Sequence, residues 1–292
     1  MQMSEVWTPV KLIKWSEKYF ADKKTDSPRL TSELLLAHVL KWQRVDLYTK
    51  FEYELSPEEL KNYKELLLRR TKGEPLQYLI GETQFLDLKI KVSNKALIPR
   101  PETEQVLLKF VDLIKDTNNE FNIVDLGTGT GILALKIAQY FPGKIIYGVD
   151  IDPHTLEQAK LNQENLKINN INWCQGDFLE ALPKDVFEKP LMIIANPPYL
   201  SQKEFEEITI ELKHEPSKAL LAGPTGLEAY EKILKQMKEK CLPGSSGVFE
   251  IGESQGTVLS ELFKPSFKEV DVFKDLSEKN RILHAVNLNP IQ

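Results

Sequence analysis

The residues with the clearest chemical potential form the tetrapeptide Asn196-Pro197-Pro198-Tyr199, which follows the apolar run 191–195. Two consecutive prolines force an extended, donor-poor backbone directly after a buried strand. The side-chain carbonyl of Asn196 and the backbone carbonyl of Pro197 can accept hydrogen bonds from one planar NH2 group, whose flat face the Tyr199 ring can cover. This geometry leaves the nitrogen lone pair aimed at a methyl donor. A plain loop is the alternative for the tetrapeptide taken alone.

A glycine-rich turn provides a second candidate site. It follows a strand candidate at 121–126 and precedes a helical stretch, and it consists of Gly127, Thr128, Gly129, Thr130 and Gly131. A strand, a glycine turn and a helix start in this order let a nucleoside ligand approach the backbone. The dinucleotide fingerprint requires glycine at its sixth position, but Ile132 stands there. The turn therefore does not match an NAD site.

Two acids near this turn favour a ligand with a positive centre and no phosphate. Asp125 would face a pyrophosphate badly, whereas the sulfonium and amino groups of S-adenosylmethionine are cationic and its carboxylate can accept N–H groups of the turn. Asp150 ends the second strand candidate, where an acid can accept hydrogen bonds from both ribose hydroxyls. Because Asp152 is better placed to cap the next helix, we expect the Asp150 carboxylate to be free for the ribose.

A third segment, Gly176-Asp177-Phe178, follows the third strand candidate. Its carboxylate and ring can lie against adenine, and a plain turn is the alternative for this segment by itself. The three segments thus share one feature, since each follows an apolar strand. The carboxyl ends of parallel strands line the ligand crevice of an open α/β sheet, so we expect the three segments to meet there.

The elements that must position these segments alternate along the chain. Strand candidates lie at 121–126, 144–149, 171–174, 191–195 and 246–251, and helical stretches at 131–140, 153–168 and 226–241. This alternation predicts an α/β fold with a doubly wound parallel sheet. Residues 1 to about 75 show helical spacing instead, with a capping box at Ser56 and Glu59. Alternating apolar residues at 85–92 predict a half-buried strand that forms one arm of a hairpin.

Composition excludes several classes of function. The 292 residues include 38 basic and 43 acidic side chains, and the net charge of −5 disfavours a protein that holds nucleic acid by counterion release. Cys174 and Cys241 form no C-x-x-C pair, and none of the four histidines sits in a metal-ligand pattern, so we expect no metal site and a reducing cytoplasm. The longest apolar run is 191–195, which predicts no membrane span and no signal peptide.

Taken together, these motifs resemble those of amino-group methyltransferases that use S-adenosylmethionine, and among them the HemK or PrmC family of release-factor glutamine methyltransferases. The resemblance is nearly full length. It rests on segments that broader N-P-P-Y methyltransferases lack: Gly73–Tyr78, Leu97–Glu104, His214–Pro216, and Glu250–Gly252 with Gln255. The most family-specific of them is the run Arg100-Pro-Glu-Thr-Glu104, which can also be a proline-started helix with a negative first turn.

The resemblance implies a Rossmann-like sheet of seven strands with a small N-terminal helical domain that helps hold a protein substrate. It implies methyl transfer to the side-chain amide nitrogen of the glutamine in the Gly-Gly-Gln motif of class-I peptide chain release factors. The expected domains are a helical bundle at 1–78, a β-hairpin linker at 79–100 and a methyltransferase domain at 101–292. Neither a membrane nor stable nucleic-acid binding is expected.

The resemblance also assigns site residues by position. The expected cofactor-binding residues are Gly127, Thr128, Gly129, Thr130, Gly131, Asp150, Asp177, Phe178 and Asn196. The expected substrate-binding residues are Asn196, Pro197, Pro198 and Tyr199, with Asn196 also catalytic. The chain departs from the family at Thr225, where Asp is usual, and in the segment 275–281, which lacks a common glycine. We therefore expect the rim of the site to differ at these loops.

Three alternative functions remain open at the level of sequence. A DNA or RNA adenine N6-methyltransferase would act on the same kind of planar NH2 group, but the charge of −5 counts against it. An NAD-dependent oxidoreductase is opposed by Ile132 in the place of the third glycine. A non-catalytic binding module is opposed by the complete tetrapeptide 196–199.

Overall fold

The computed structural model describes residues 6–115 and 120–290. The chain divides into two compact units, one that reaches to Glu82 and includes Thr209–His214, and one formed by Thr83–Ile208 and the residues from Glu215 onward. The predicted domain limits at residues 1 and 292 lie outside the described residues. No sequence pattern predicted that Thr209–His214 belongs to the first unit.

The first unit is helical, as its apolar spacing predicts. Its helices are α1 (Pro9–Asp22), α2 (Pro28–Leu40), α3 (Asp46–Thr49), α4 (Pro57–Arg70) and α5 (Leu76–Ile80). The capping box predicted at the start of α4 is present, because the Glu59 N–H donates to the Ser56 hydroxyl and the Ser56 N–H donates to the Glu59 carboxylate. The apolar stripes of the helices share one core, which includes Phe20, Leu35, Leu36, Leu47 and Tyr63.

A two-stranded hairpin follows α5 and consists of β1 (Glu82–Phe85) and β2 (Leu88–Lys91). The expected hairpin is present and β2 is one of its arms, but the predicted strand over 85–92 is too long, because Leu86 and Asp87 form the turn between the two strands. Leu86 has a positive φ of 50°, and its N–H donates to the Glu104 carboxylate. A contact between residues so far apart in sequence leaves no trace in the local alternation, so the pattern alone could not reveal the turn.

The second unit is built on a seven-stranded sheet. The strands of this sheet are β3 (Asn122–Leu126), β4 (Ile146–Asp150), β5 (Ile171–Gln175), β6 (Leu191–Ala195), β9 (Ser246–Glu250), β10 (Phe267–Lys274) and β11 (Asn280–Leu288). Two further short strands, β7 (Leu200–Ser201) and β8 (Leu221–Gly223), pair with each other outside it. The order in the sheet is β10-β11-β9-β6-β3-β4-β5. The seven strands implied by the family resemblance are therefore present.

The predicted parallel arrangement is confirmed for five strands, but the complete sheet is mixed. The five strands found by pattern are mutually parallel, whereas β11 runs antiparallel to both β9 and β10. The pattern missed β10 and β11 because neither is a continuous apolar run. β10 lies at the edge of the sheet beside β11 and carries the exposed residues Lys268, Glu269 and Asp271. Charged residues on an edge strand discourage its pairing with a strand of another molecule.

Six α-helices accompany the sheet within residues 83–115 and 120–290. They are α6 (Pro101–Ile114), α7 (Ile132–Tyr140), α8 (Pro153–Leu166), α9 (Gln202–Glu206), α10 (Glu228–Lys240) and α11 (Gly256–Phe263). The three helical stretches expected between the strands correspond to α7, α8 and α10, and α6 begins at the proline of the run 100–104. Across residues 6–115 and 120–290, no helix has the length and apolar character required to cross a lipid bilayer.

The connections of the sheet reverse direction between β3 and β6. From β3 the chain proceeds through β4 to β5 on one side, and it then returns to place β6 on the other side of β3. Leu126 and Ala195, the last residues of β3 and β6, are paired in register. The glycine turn and the tetrapeptide 196–199 therefore leave the sheet side by side, at the point where open α/β sheets form their crevice.

Candidate active site

A cavity of about 370 Å³ opens at the carboxyl ends of β3, β4, β5 and β6. All of its lining residues belong to the second unit. Small-molecule sites in proteins typically measure about 300–1,000 Å³. The sequence-predicted residues that line it are Gly127, Thr128, Gly129, Thr130, Asp150, Asp177, Phe178, Asn196 and Pro198. Gly131, Pro197 and Tyr199 are not among its lining residues.

The floor of the cavity is formed by Gly127 and Gly129. Both have positive φ, 71° and 57°, a conformation that costs other residues free energy. A Cβ atom added at either position would have no protein neighbour closer than 3.9 Å, so packing within the protein does not require glycine there. The glycines instead keep side chains away from the cavity, which exposes backbone to a ligand.

Gly131 has a different role from its two neighbours. Its φ is 82°, and an added Cβ would lie 2.9 Å from the Trp173 ring and 3.0 Å from the Cβ of Ala159. Glycine at this position therefore permits the start of α7 to pack against α8 and β5. Because Gly131 does not line the cavity, the geometry supports a packing role for it more directly than the cofactor contact that we expected.

Asp150 lines the cavity, but its carboxylate is not free as we expected. One oxygen accepts a hydrogen bond from the Gly129 N–H and the other accepts one from the Asp152 N–H, each at 3.0 Å. Asp152 does cap α8, since it accepts from the His154 N–H. Burial raises the pKa of Asp150, and hydrogen bonds from the backbone N–H groups of Asp152, Gly129 and Ile151 oppose that rise. Each carboxylate oxygen keeps a second lone pair that can accept a ribose hydroxyl.

Asp125 is fully buried beneath the glycine turn. One carboxylate oxygen accepts hydrogen bonds from the Thr128 hydroxyl at 2.5 Å and the Ala134 N–H at 3.1 Å. The other oxygen has no hydrogen-bond partner among residues 6–115 and 120–290. Burial raises the pKa of Asp125 to about 7. Asp125 thus braces the turn between β3 and α7 from below, and it does not line the cavity.

The segment after β5 places Asp177 and Phe178 at the cavity, as its position at a strand end suggests. The Asp177 carboxylate forms an ion pair with Lys232 of α10, and Lys232 also lines the cavity. Phe178 begins a short 3₁₀ helix with a φ of 49°, which is rare for a bulky residue. Backbone strain of this kind persists where the surrounding structure enforces it, and it is common at ligand sites.

The tetrapeptide 196–199 continues directly from β6 into the cavity wall. Asn196 and Pro198 line the cavity, Pro197 is buried, and Tyr199 is partly buried. The Asn196 side-chain NH2 donates to the Thr103 hydroxyl at 3.3 Å, and that hydroxyl donates to Glu250 at 2.6 Å. Sequence reasoning noticed the run 100–104 only as a family signature and assigned no role to Thr103.

Gln255 is a second residue whose role was missed. Its side-chain oxygen accepts from the Gly252 N–H, and its NH2 donates to the backbone oxygens of Tyr199 and Gly226. Gly226 has a φ of 83°, and an added Cβ would lie 2.6 Å from the Tyr199 oxygen. Gln255 therefore fixes the far end of the tetrapeptide against two neighbouring loops. Its place in the family signature was the available signal.

The departures from the family pattern are accommodated by local hydrogen bonds. The Thr225 hydroxyl accepts from the Leu227 N–H and donates to Glu228, whose carboxylate also accepts from the N–H groups of Thr225 and Gly226. In the segment 275–281, Asp275 accepts from two backbone N–H groups and from Arg281. Glu278 of this segment has a φ of 61°, a conformation in which glycine is favoured.

These residues fit S-adenosylmethionine. The bare glycine floor admits a ligand to the backbone, the acid at the end of β4 suits a ribose, and Asp177 with Phe178 borders the neighbouring part of the same cavity. The cavity wall carries further segments of the family signature, through Leu97, Pro99 and Pro216. Among the residues that the structure describes, no group of three or more histidines, cysteines or acids could hold a metal ion.

Comparison with known sequences gives two family matches. Residues 11–81 match the PrmC N-terminal domain, and residues 117–281 match a methyltransferase domain. The release factor glutamine methyltransferase of Rhodopirellula baltica is 35% identical over 95% of this chain and 95% of its own length. Those of Chlorobaculum tepidum (33% identical, 98% and 99% covered) and Bacillus subtilis (32% identical, 94% and 96% covered) are similar over nearly their whole length too.

Comparison with solved structures identifies the same fold at low sequence identity. The catalytic domain of hMettl16, crystallised in complex with MAT2A 3′UTR hairpin 1, aligns with a TM-score of 0.55 over 81% of this chain and 83% of that one. A second structure of that domain, with hairpin 6, aligns with a TM-score of 0.53 over 70% and 77%. Both are 17% identical in sequence, so the likeness concerns the fold alone.

Proposed function

Because the chain belongs to the release factor glutamine methyltransferase family, we propose that it methylates the side-chain amide nitrogen of a glutamine in peptide chain release factors. As a member of this family it is an S-adenosylmethionine-dependent protein methyltransferase. The observation that carries the proposal is the presence of Asn196 in the same cavity as the glycine turn and Asp150. The residue for the acceptor amide and the residues for the methyl donor therefore share one enclosed space.

The chemical problem is the weak nucleophilicity of an amide nitrogen, whose lone pair is delocalised into the carbonyl group. We propose that Asn196 and Pro197 activate this nitrogen. Their carbonyl oxygens accept hydrogen bonds from the glutamine NH2 and so favour the positive charge that develops on its nitrogen. Holding the nitrogen in line with the donor adds the proximity effect, which can reach several kcal/mol. The methylated amide cation loses its proton readily, so the site needs no strong base.

The donor side of the cavity has separate tasks. When bound, S-adenosylmethionine supplies an electrophilic methyl group on a sulfonium. Asp150 would accept the ribose hydroxyls, the bare turn at Gly127 and Gly129 would admit the methionine part of the cofactor to the backbone, and Asp177 with Phe178 would border the adenine. Asn196 completes this side of the site, and Pro198 and Tyr199 enclose the acceptor amide. The cavity lining supports these assignments for every residue except Pro197 and Tyr199, which we place at the rim, and Gly131, which supports the turn through packing.

The finer substrate assignment is the glutamine of the Gly-Gly-Gln motif in class-I release factors. The net charge of −5 supports a protein substrate and opposes stable binding to nucleic acid. Both cysteines of the chain are free thiols, which supports a reducing cytoplasm, where release factors act. We assign the docking surface for the release factor to the first unit, whose described residues lie outside the cavity lining and are free for another task.

Labelled S-adenosylmethionine tests the proposal directly. The protein is incubated with a class-I release factor, with the same factor carrying Gln→Ala in the Gly-Gly-Gln motif, and with adenine-containing DNA and RNA. We expect label on the intact factor alone, with the methyl group located on the motif glutamine by mass spectrometry. Label that persists on the Gln→Ala factor would contradict the residue assignment, and label on nucleic acid would favour an adenine methyltransferase instead.

A further inference from the structure

A line of hydrogen bonds runs from Asn196 through Thr103, which also lines the cavity, to the buried carboxylate of Glu250. The Asn196 Nδ2 donates to Thr103 Oγ1 at 3.3 Å, and Thr103 Oγ1 donates to Glu250 Oε2 at 2.6 Å. The three residues come from the end of β6, the first turn of α6 and the end of β9. Thr103 is only 3% exposed and Glu250 only 1%. The bond between Thr103 and Glu250 is therefore shielded from water, while Asn196 is partly buried at the cavity.

While Glu250 is ionised, the chemistry of the groups fixes the direction of every bond in this line. An ionised carboxylate has no proton, so Glu250 can only accept, and the single hydroxyl proton of Thr103 must be donated to it. Thr103 is then left with lone pairs alone and can only accept from Asn196. The only end of the Asn196 side chain that can donate is its NH2 group. The carbonyl oxygen of Asn196 is therefore turned away from Thr103.

The ends of the line are held independently of Asn196. The backbone oxygen of Glu250 accepts from the buried Tyr230 hydroxyl at 2.6 Å, which fixes the end of β9. Thr103 is placed by the start of α6, where Arg100 pairs with the buried carboxylate of Glu215, and Glu215 also accepts from the Ile98 N–H. The Asn196 amide is thus oriented by two elements that pack beside β6.

We propose that Thr103 and Glu250 are positioning residues for methyl transfer, which together hold the Asn196 amide so that its carbonyl oxygen faces the acceptor NH2. This inference rests on the proposed function, because it concerns how the glutamine NH2 is received. An Asn196 amide turned by 180° would present its own NH2 to the substrate NH2. Two donors facing each other cannot bond, so one of the two acceptors of the site would be lost.

This line of hydrogen bonds also links the orientation of the Asn196 amide to the ionisation of Glu250. Burial raises the pKa of Glu250 to about 7, nearby Glu102 supports the rise, and Thr103, Arg281 and Arg100 oppose it. Tyr199 also lies close enough to interact with Glu250 electrostatically. A protonated Glu250 can donate to Thr103, which frees the Thr103 hydroxyl to donate to Asn196 and favours the turned amide. We therefore expect methyl transfer to slow as the pH falls through about 7.

The kinetic test uses the full-length protein, a class-I release factor and saturating S-adenosylmethionine in single turnover. Thr103→Val keeps the shape but removes the hydroxyl, and we expect it to slow transfer by about tenfold or more. Thr103→Ser restores the hydroxyl and should recover most of the rate. Glu250→Gln can donate an N–H to Thr103, so it should slow transfer and remove the pH step. Thr31→Val, which removes a buried hydroxyl bonded to Asp26 in the first unit, is the matched control.

A spectroscopic readout makes the inference testable without any substrate. In the free protein the side-chain NH2 resonance of Asn196 should shift with pH as Glu250 ionises, and this shift should vanish in Thr103→Val and in Glu250→Gln. If wild-type protein shows the shift but labels no release factor, the proposed function fails while the positioning line stands. If Thr103→Val transfers at the wild-type rate, or the resonance titrates equally without the hydroxyl, the positioning role is overturned. Should Thr103→Val not fold, Glu250→Gln decides by the same two measurements.

Discussion

Asp150 shows how one carboxylate can serve the protein and a ligand together. It holds the glycine turn through the Gly129 N–H and the start of α8 through the Asp152 N–H, and it also lines the cavity. The same hydrogen bonds that orient the carboxylate leave one lone pair on each oxygen for a ribose diol. A residue in this position is therefore fixed before the cofactor binds, which reduces the entropy lost on binding.

We predict that Asp150→Asn weakens S-adenosylmethionine binding by about 1–3 kcal/mol, the range for removing a hydrogen bond to a charged group. One end of the amide would also direct its N–H protons at a backbone N–H. Isothermal titration calorimetry measures the change. Glu164→Gln, the same chemical substitution at an exposed site on α8, should leave the affinity unchanged. Equal affinities for Asp150→Asn and wild type would refute the assignment.

Asp125 predicts a pH effect on stability. Its pKa is raised to about 7 in the folded protein, from an ordinary value of 3.8, because the carboxyl group is buried. The folded state therefore keeps the proton to higher pH than the unfolded state, so the contribution of Asp125 falls as the pH rises from about 4 to about 7 and is constant above that. Its ionisation thus opposes folding at neutral pH.

We predict that Asp125→Asn, which cannot ionise, gains stability relative to wild type as the pH rises through this window, by up to about 3–4 kcal/mol. Urea unfolding at about pH 4.5 and about pH 8 gives the two differences to compare. Glu250 is present in both proteins and its effect cancels, whereas the charge of Asp150 contributes to the raised pKa of Asp125 and so belongs to the measured difference. A difference between variant and wild type that is the same at both pH values would contradict the raised pKa.

At the level of elements, the turn between β3 and α7 divides its glycines between two tasks. Gly127 and Gly129 leave the cavity floor bare, whereas Gly131 permits α7 to pack against Trp173 and Ala159. All three have positive φ, so the backbone conformation alone does not separate them. The separation comes from what a side chain would meet at each position.

We predict that Gly131→Ala and Gly129→Ala fail in different ways. Both pay about 1–2 kcal/mol for a left-handed backbone, and Gly131→Ala adds about 1–3 kcal/mol of overpacking against Trp173 and Ala159. Gly129→Ala should instead lose more cofactor affinity, because its new methyl group occupies the cavity floor. Thermal unfolding and cofactor titration of both variants measure the two effects. The division of roles is wrong if both variants lose stability and affinity in the same proportion.

The loop between β10 and β11 contains a position where the sequence departs from what its backbone favours. Glu278 has a φ of 61°, and its side chain makes only an exposed ion pair with Lys274 at 3.4 Å. We predict that Glu278→Gly stabilises the protein by about 0.5–1 kcal/mol, since relief of the left-handed strain exceeds the entropy cost of glycine. Glu278→Ala removes the same ion pair but keeps the strain. Urea midpoints that are equal for the Gly and Ala variants would refute the prediction.

At the scale of the whole molecule, the two units have distinct surfaces. The second unit contains the whole lining of the cavity. The first unit exposes apolar side chains in the segment 45–53, where Val45 is 65% and Phe51 is 54% exposed. Exposed apolar residues that are close together in a chain mark a surface suited to a macromolecular partner. A protein methyltransferase must orient a large substrate around one side chain, and we propose that this segment provides the contact.

We predict that Val45→Ser with Phe51→Ser raises the KM for intact release factor by about tenfold, as loss of roughly 1.4 kcal/mol of contact energy would. The kcat should remain near wild type, and methylation of a short Gly-Gly-Gln peptide should be unaffected because the peptide cannot reach a docking surface. Ile145→Ser, which alters an equally exposed apolar residue of the second unit, is the control. An unchanged KM for the intact factor would remove this segment from the docking surface.

The sequence by itself determined the features that depend on neighbouring residues. Five strands, the helices between them and the capping box of α4 follow from periodicity and from residue types within a few positions of each other. The position of the glycine turn, Asp150 and the tetrapeptide 196–199 at strand ends also follows, since each comes directly after an apolar run. Parallel strands in one sheet bring such segments together, so the neighbourhood of the site was predictable.

Only the tertiary structure decided the features that depend on distant residues. The hydrogen bonds that orient Asn196 join residues 93 and 147 positions apart, and Asp150 is occupied by an N–H group 21 positions away. The antiparallel pairing of β10 and β11, and the packing that requires glycine at 131, likewise come from contacts between separate elements. No local pattern encodes such contacts, because they are specified by how the whole sheet brings remote side chains within hydrogen-bonding distance.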